Sequence, residues 1–276
     1  MSLFITSLNS GSNGNCYYVG NNTDAILVDA GIPCSEIEKR MKRLGLCMEK
    51  LKAIFVSHEH SDHISGLQVF SKKYQLPVYV TNTTHRFGKM RLEKHLTTSF
   101  TANEPIIIGS LSITAFPKFH DAADPYSFMV SCNKINVGVF TDIGMACENL
   151  VHHFKQCHAA FLEANYDETM LEKGGYPYFL KNRIRGDKGH LSNKQALELF
   201  ITHKPSFMTH LLLSHLSKNN NCSKLVQQLF NEHANGVKMI IASRYEETAV
   251  YHIHNSNIGV AMHHPISSSQ LSFAFA

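Results

Sequence analysis

The chain has 276 residues, 43% of them hydrophobic, a formal net charge of +4, and seven cysteines. That is enough apolar material for a sizeable core, no linker or composition break divides it, and no apolar run is long enough to span a bilayer. The mild positive charge permits a polyanionic partner without demanding one, and an odd set of cysteines with no C-x-x-C pair excludes a disulfide framework in favour of reduced thiols.

The opening stretch MSLFITSLNSGSNG lacks the basic region and long apolar core of a secretory signal, which predicts a cytoplasmic protein. Three short strands are predicted first: LFITSL (3–8), CYYVG (16–20) and AILVDA (25–30). The turn SGSNGN (10–15) offers an anion a backbone nest, with Ser12 and Asn15 as candidate contacts. It lacks the Lys-Ser/Thr of a P-loop, and a plain hairpin turn is the simpler reading. SEIEKRMKRLG (35–45) predicts a helix with Ile37, Met41 and Leu44 on one face and Gly45 as its stop. KAIFVS (52–57) is a buried strand that ends where SHEHSDHISG (57–66) begins. ISGLQVFSKKYQ (64–75) reads as a helix, PVYV (77–80) as a strand, and HRFGKMRLEKH (85–95) as an exposed helix face.

PIII, LSITAF, YSFMV and KINVGVF make residues 100–141 strand-rich. A helix over 145–156, the strand AAFLEA (159–164) and an irregular basic segment follow. The next helix opens at Ser192, with Gln195 completing a capping box. SFMTHLLLS (206–214), CSKLVQQLFNEHA (222–234) and VKMIIAS (237–243) predict strand, helix and strand. One domain is therefore expected over 1–253, with a polar tail over 254–276. Strands grouped at both ends with helices between them predict an α/β fold of two packed sheets covered by helices.

In an extended chain His58 and His60 face the same way and Glu59 faces the other. Asp62 and His63 follow as the chain turns. His120, Asp142 and His215 each lie just after a predicted strand, and Glu163 sits at the end of another, so these side chains can converge on one rim. Singly, a histidine after a strand is more often structural; together these complete two coordination spheres. Two cations about 3.5–4 Å apart form a clamp for hydrolysis. The spacing assigns His58, His60 and His120 to one metal and Asp62, His63 and His215 to the other. Asp142 spans both, and the nucleophile comes from water between them. An all-N/O ligand set suits Zn, Mn or Fe.

GGYPYFLKNRIRGDKGHLS (174–192) mixes Lys181, Arg183 and Arg185 with Tyr176, Tyr178 and Phe179. Cations neutralise phosphates and aromatics stack on bases, although a solvated loop has the same composition. His190, just before a helix N-terminus, is a candidate to hold a phosphate or protonate a leaving oxygen.

HEHSDH is similar to the H-x-H-x-D-H signature of the metallo-β-lactamase superfamily, and the order His120, Asp142, His215 resembles that family's later ligand motifs. The resemblance implies a four-layer αβ/βα sandwich with a two-metal site on one edge. Asp29 in AILVDAG matches an early aspartate that supports such a site, and Glu163 in LEANYD is a further supporting candidate. SGSNGNCYYV, HDAADPYSF, TDIG, LEANYD, GHLSN and LSHLSKNNN together resemble the YycJ/WalJ-like branch. That branch implies a DNA exonuclease acting on duplex ends, often with manganese. His60 departs from the flavodiiron pattern, which has Glu there. The chain leaves no room for the domain inserted in β-CASP nucleases. The rivals are a small-molecule phosphodiesterase of the cyclic-phosphate or PhnP-like kind, a glyoxalase II-like thioester hydrolase, and a binding module in which metal is purely structural.

Overall fold

The computed structural model describes residues 2–254, so the expected tail from residue 255 onward lies outside the described residues. The chain opens with an antiparallel meander, β1 (Leu3–Asn9), β2 (Cys16–Gly20) and β3 (Ala25–Val28). After helix α1 (Cys34–Arg43) the sheet continues in parallel through β4 (Leu51–Phe55), β5 (Val78–Tyr79) and β6 (Thr97–Thr98). Between β4 and β6 run α2 (Ser61–Ile64), α3 (Leu67–Tyr74) and α4 (Asn82–Phe87).

The second sheet repeats this plan. A second meander, β7 (Pro105–Ile108), β8 (Leu111–Pro117), β9 (Tyr126–Cys132) and β10 (Ile135–Phe140), is antiparallel. Beyond α5 (Glu148–Phe154) the parallel half adds β11 (Ala159–Glu163). Helices α6 (Glu168–Lys173), α7 (Tyr178–Arg185) and α8 (Asn193–His203) lead to β12 (His210–Ser214), and α9 (Ser223–Asn231) leads to β13 (Lys238–Ile241). The chain then returns to the first sheet, where β14 (Tyr251–Ile253) pairs antiparallel with β1. Two seven-stranded sheets result, ordered β14-β1-β2-β3-β4-β5-β6 and β13-β12-β11-β10-β9-β8-β7.

The layers follow from which side chains the strands bury. Ile5, Tyr17, Phe55, Phe128 and Phe161 meet between the sheets. The other faces are covered by helices: Ile37 and Met41 of α1 with Phe70 of α3 on the first sheet, and Phe154, Phe200 and Phe230 of α5, α8 and α9 on the second. The protein is thus an αβ/βα sandwich. The central strands are buried on both faces, which is why they read as continuous apolar runs. Among the described residues, no helix is long and apolar enough to cross a membrane.

Several boundaries differ from the sequence reading. The helix expected over 64–75 is interrupted at Gly66, whose N–H donates to the Ala30 carbonyl at 2.8 Å instead of to Asp62, and only glycine fits there because a Cβ would lie 1.9 Å from the Ile32 carbonyl oxygen. The stretch 85–95 is not one helix face, since α4 stops at Phe87 and residues 94–96 form a separate 3-10 turn. The basic segment read as irregular contains α7, whose start at Pro177 leaves no side-chain cap to detect. The capping box at Ser192 and Gln195 is present. The short β14 depends on a partner some 250 residues away and has no local signature.

Candidate metal centre

The ends of β3, β4, β8, β10, β11 and β12 lie on one edge of the sandwich, and the chemically interesting residues lie at or just beyond them. Left-handed backbone marks three of these exits: Asp29 (φ 61°), Asp142 (φ 55°) and His215 (φ 56°). Non-glycine residues pay a conformational penalty in this region and persist there only where the surroundings fix them. Close backbone approach does the rest. A Cβ on Gly31 would sit 1.7 Å from the Asp62 carbonyl oxygen, so only glycine lets the turn after β3 pack under the motif.

Five histidines around this edge have Nδ1 engaged by protein. Asp29 accepts from His63 Nδ1 at 2.7 Å, and also from the backbone N–H and hydroxyl of Ser57 at 2.8 and 2.7 Å. His58 Nδ1 donates to Ser57 Oγ at 2.9 Å, and His120 Nδ1 to the Gly189 carbonyl at 3.0 Å. Glu163 accepts from His215 Nδ1 at 3.0 Å and from His190 Nδ1 at 2.8 Å. Its other oxygen takes the backbone N–H groups of Ile143 and Leu191 at 2.7 and 3.1 Å. With Nδ1 protonated in this way, the Nε2 lone pairs of His58, His63, His120 and His215 face the cluster, that of His63 with Asn15 Nδ2 3.0 Å away.

Those lone pairs converge. His60 Nδ1 lies 3.1 Å from His58 Nε2 and 3.3 Å from His120 Nε2. A tetrahedral cation with Zn–N bonds of about 2.0–2.1 Å spaces its nitrogens by about 3.3 Å. Asp62 Oδ2 lies 3.6 Å from His63 Nε2 and 3.4 Å from His215 Nε2. Asp142 reaches both groups, with Oδ2 3.2 Å from His63 Nε2 and Oδ1 3.8 Å from His120 Nε2 and 3.6 Å from His215 Nε2. Despite its neighbour, Asp142 Oδ2 is buried without a hydrogen-bond donor. An orphaned carboxylate oxygen facing several imidazole lone pairs is a costly arrangement for protein alone. It fits divalent cations, with His58, His60 and His120 forming one compact group and Asp62, His63 and His215 another.

The electrostatics agree. Burial holds His58 well below the usual imidazole range and pushes His120 down to about 3, leaving neutral ligands. His63 and His215 are also desolvated, but facing carboxylates more than offset this, Asp142 foremost, and His215 is pushed up to about 10. Cations entering the cluster would displace those protons.

Other site candidates are distributed unevenly. His190 lies beside the cluster, its Nδ1 3.9 Å from Asp142 Oδ1, with its side chain 18% exposed. Asn15 is wholly buried, and its Nδ2 donates to Asp62 Oδ2 at 3.1 Å, so it braces the site from beneath. Ser12 is at the surface and accepts from Arg244 at 3.1 Å. The cations of α7 are occupied: Arg183 pairs with Asp121, Arg185 with Glu172 at 3.0 Å, and Lys181 with the Glu172 carbonyl at 2.5 Å.

Two groups escaped the sequence reading. Asp121 Oδ1 is buried and unpartnered, 3.4 Å from His120 Nε2 and 3.9 Å from His60 Nε2. Lys118 is buried, donates to the Thr141 carbonyl at 2.7 Å and so holds the peptide that precedes Asp142. Only Lys118 had a signal, alternation, since Lys118 and His120 share one side of an extended chain, which puts Asp121 on the other.

The sequence profile of the Metallo-beta-lactamase superfamily matches residues 10–123. The chain is similar to Exodeoxyribonuclease YycJ of Bacillus anthracis, 34% identical over 246 residues, which are 86% of this chain and 92% of that protein. It is also similar to Exodeoxyribonuclease WalJ of Streptococcus pneumoniae, 32% identical over 226 residues, 79% of this chain and 83% of that one. Among solved structures, the metallo-beta-lactamase fold protein YhfI of Bacillus subtilis superposes with a TM-score of 0.69 at 17% identity, over 91% of this chain and 100% of that chain.

Proposed function

The chain belongs to the metallo-β-lactamase superfamily, in its YycJ/WalJ-like branch, and is a metal-dependent hydrolase; from that premise we propose that it is a two-metal phosphodiesterase that degrades DNA from duplex ends. The observation that carries this reading is the paired ligand set, two groups of three sharing Asp142. The relatives' names supply the nucleic-acid substrate.

Zn, Mn or Fe held there would supply positive charge against the phosphoryl oxygens and lower the pKa of water. The protein's own groups do the rest. Asp62, 18% exposed and fixed by Asn15, faces the opening and takes the proton of the attacking water. Asp142 holds the two ligand groups in register. His190, its ring oriented by Glu163, is within reach of the phosphodiester to bind a non-bridging oxygen or protonate the leaving one. Helix α7 flanks the opening through Arg183 and Asp121, and it offers Tyr178 and Phe179, each 73% exposed, as stacking faces.

The test is digestion of an end-labelled duplex by protein stripped with chelator and reloaded with one metal at a time. The expected result is shortening from the ends, restored by metal. Turnover of a cyclic phosphodiester or a thioester, with DNA untouched under every metal, would transfer the reading to the corresponding rival.

A further inference from the structure

Arg183 and Arg185 are paired with carboxylates, whereas other cations near the strand ends are not. Lys218 and Arg244 have no carboxylate partner among the described residues, and both line a cavity of about 480 Å³ whose wall includes Leu216 and Ser217, the two residues that follow His215 in the chain. Its outer wall carries Tyr245, 72% exposed. Glu246 is the one acidic residue among those lining it.

This wall is tied to the metal cluster. Ser10 Oγ accepts from the His215 backbone N–H at 2.7 Å, while the Ser10 N–H donates to the Ser243 carbonyl at 3.0 Å. Asn13 Nδ2 donates to the Arg244 carbonyl at 2.9 Å, and buried Arg40 donates to the Tyr245 carbonyl at 3.1 Å. Arg244 itself is steered by Ser12 at 3.1 Å. The turn that presents Arg244 and Tyr245 is therefore anchored to the same strand ends as His215, and its geometry is set before any ligand arrives.

An aromatic face, two unpaired cations and a cavity in the size range of drug-like ligands suit a nucleotide. We propose that this cavity is the subsite for the nucleotide flanking the scissile phosphodiester, with its base stacked on Tyr245 and its phosphate met by Lys218 and Arg244. The inference rests on the DNA-degrading reading above and adds the side on which the strand lies, along β13 and α9.

The metal-loaded full chain is assayed on a DNA duplex and on bis(4-nitrophenyl) phosphate. Stacking of one base contributes enough that Tyr245→Ala should lower the ratio of DNA to small-ester hydrolysis roughly tenfold, with Tyr245→Phe near wild type. Quenching of a 2-aminopurine placed next to the cleaved position should be lost in Tyr245→Ala and kept in Tyr245→Phe. Lys218→Gln should flatten the salt dependence of DNA binding by about 0.7–0.9 in log–log slope. Equal losses on both substrates, or quenching retained in Tyr245→Ala, would overturn the subsite while leaving the exonuclease reading intact. A wild-type protein that hydrolyses the small ester but never DNA overturns that reading, and the subsite with it.

Discussion

The two halves of the sandwich share one plan, a meander whose last strand starts a parallel run, yet they furnish the site differently. The first half delivers His58, His60, Asp62 and His63 from a single turn after β4. The second delivers His120, Asp142, Glu163, His190 and His215 from separate exits, and needs three more strands to assemble them. Asp29 and Asp142 make the contrast sharpest. Each follows the strand where antiparallel pairing gives way to parallel, and each is left-handed. Asp29 has all its donors close by, in Ser57 and His63, whereas Asp142 Oδ2 has none. The same slot thus holds a fully satisfied brace in one half and a buried carboxylate with an unpartnered oxygen in the other. What separates them is whether the neighbouring turn supplies donors.

The largest expected effect breaks this pair. Asp142→Ala removes the carboxylate common to both ligand groups and should lower turnover by at least about a thousandfold, with metal content reduced and the fold retained. Asp29→Asn keeps the shape but weakens the hold on the His63 ring, and should cost roughly 10–100-fold in metal affinity. Metal analysis and rate measured on the same preparations decide the matter. Equal losses in the two variants would mean that the slots are functionally alike.

That asymmetry also explains what could be read from the sequence. Candidate ligands crowded into six residues of one turn declare themselves, and strand ends pointed to His120, Asp142 and His215 because short apolar runs end sharply. Asn15 was legible as a polar residue in a turn, but not that the turn folds beneath Asp62. Asp121 and Lys118 depend on which way a loop after β8 turns its side chains, which is decided by Gly189, Arg183 and Thr141 from far along the chain. The pairing of Arg183 was hidden for the same reason, since its partner Asp121 is 62 residues away.

The two bracing carboxylates differ as well. Glu163 accepts from two imidazoles and two backbone N–H groups, Asp29 from one imidazole and one serine. Glu163→Gln should therefore lower metal affinity roughly 10–100-fold and also destabilise the fold by about 1–3 kcal/mol, because its amide presents N–H groups to donors that need acceptors. Asp29→Asn should affect mainly the ligand group that contains His63. Thermal unfolding of the metal-free proteins, alongside metal titration, separates bracing of the fold from bracing of the ligands. A Glu163→Gln protein with unaltered unfolding would reduce Glu163 to an orienter of His190 and His215.

The smallest effect is expected at Glu59, which lies inside the dense motif but belongs to neither ligand group. Alternation turns it away from His58 and His60, and its Oε1 accepts from the Ala123 backbone N–H at 2.8 Å. It thereby ties the first half's motif to the second half's loop after His120, while its Oε2 is buried without a partner. Glu59→Gln preserves the accepting oxygen and replaces the orphaned one, so both metals should remain and stability should move by no more than about 1 kcal/mol. Glu59→Ala, which cuts the tie, should loosen the 121–124 loop and lower the rate severalfold at unchanged metal content. Loss of one full equivalent of metal in Glu59→Gln would bring this side chain into the ligand set, and the first half would then hold its cation without help from His120.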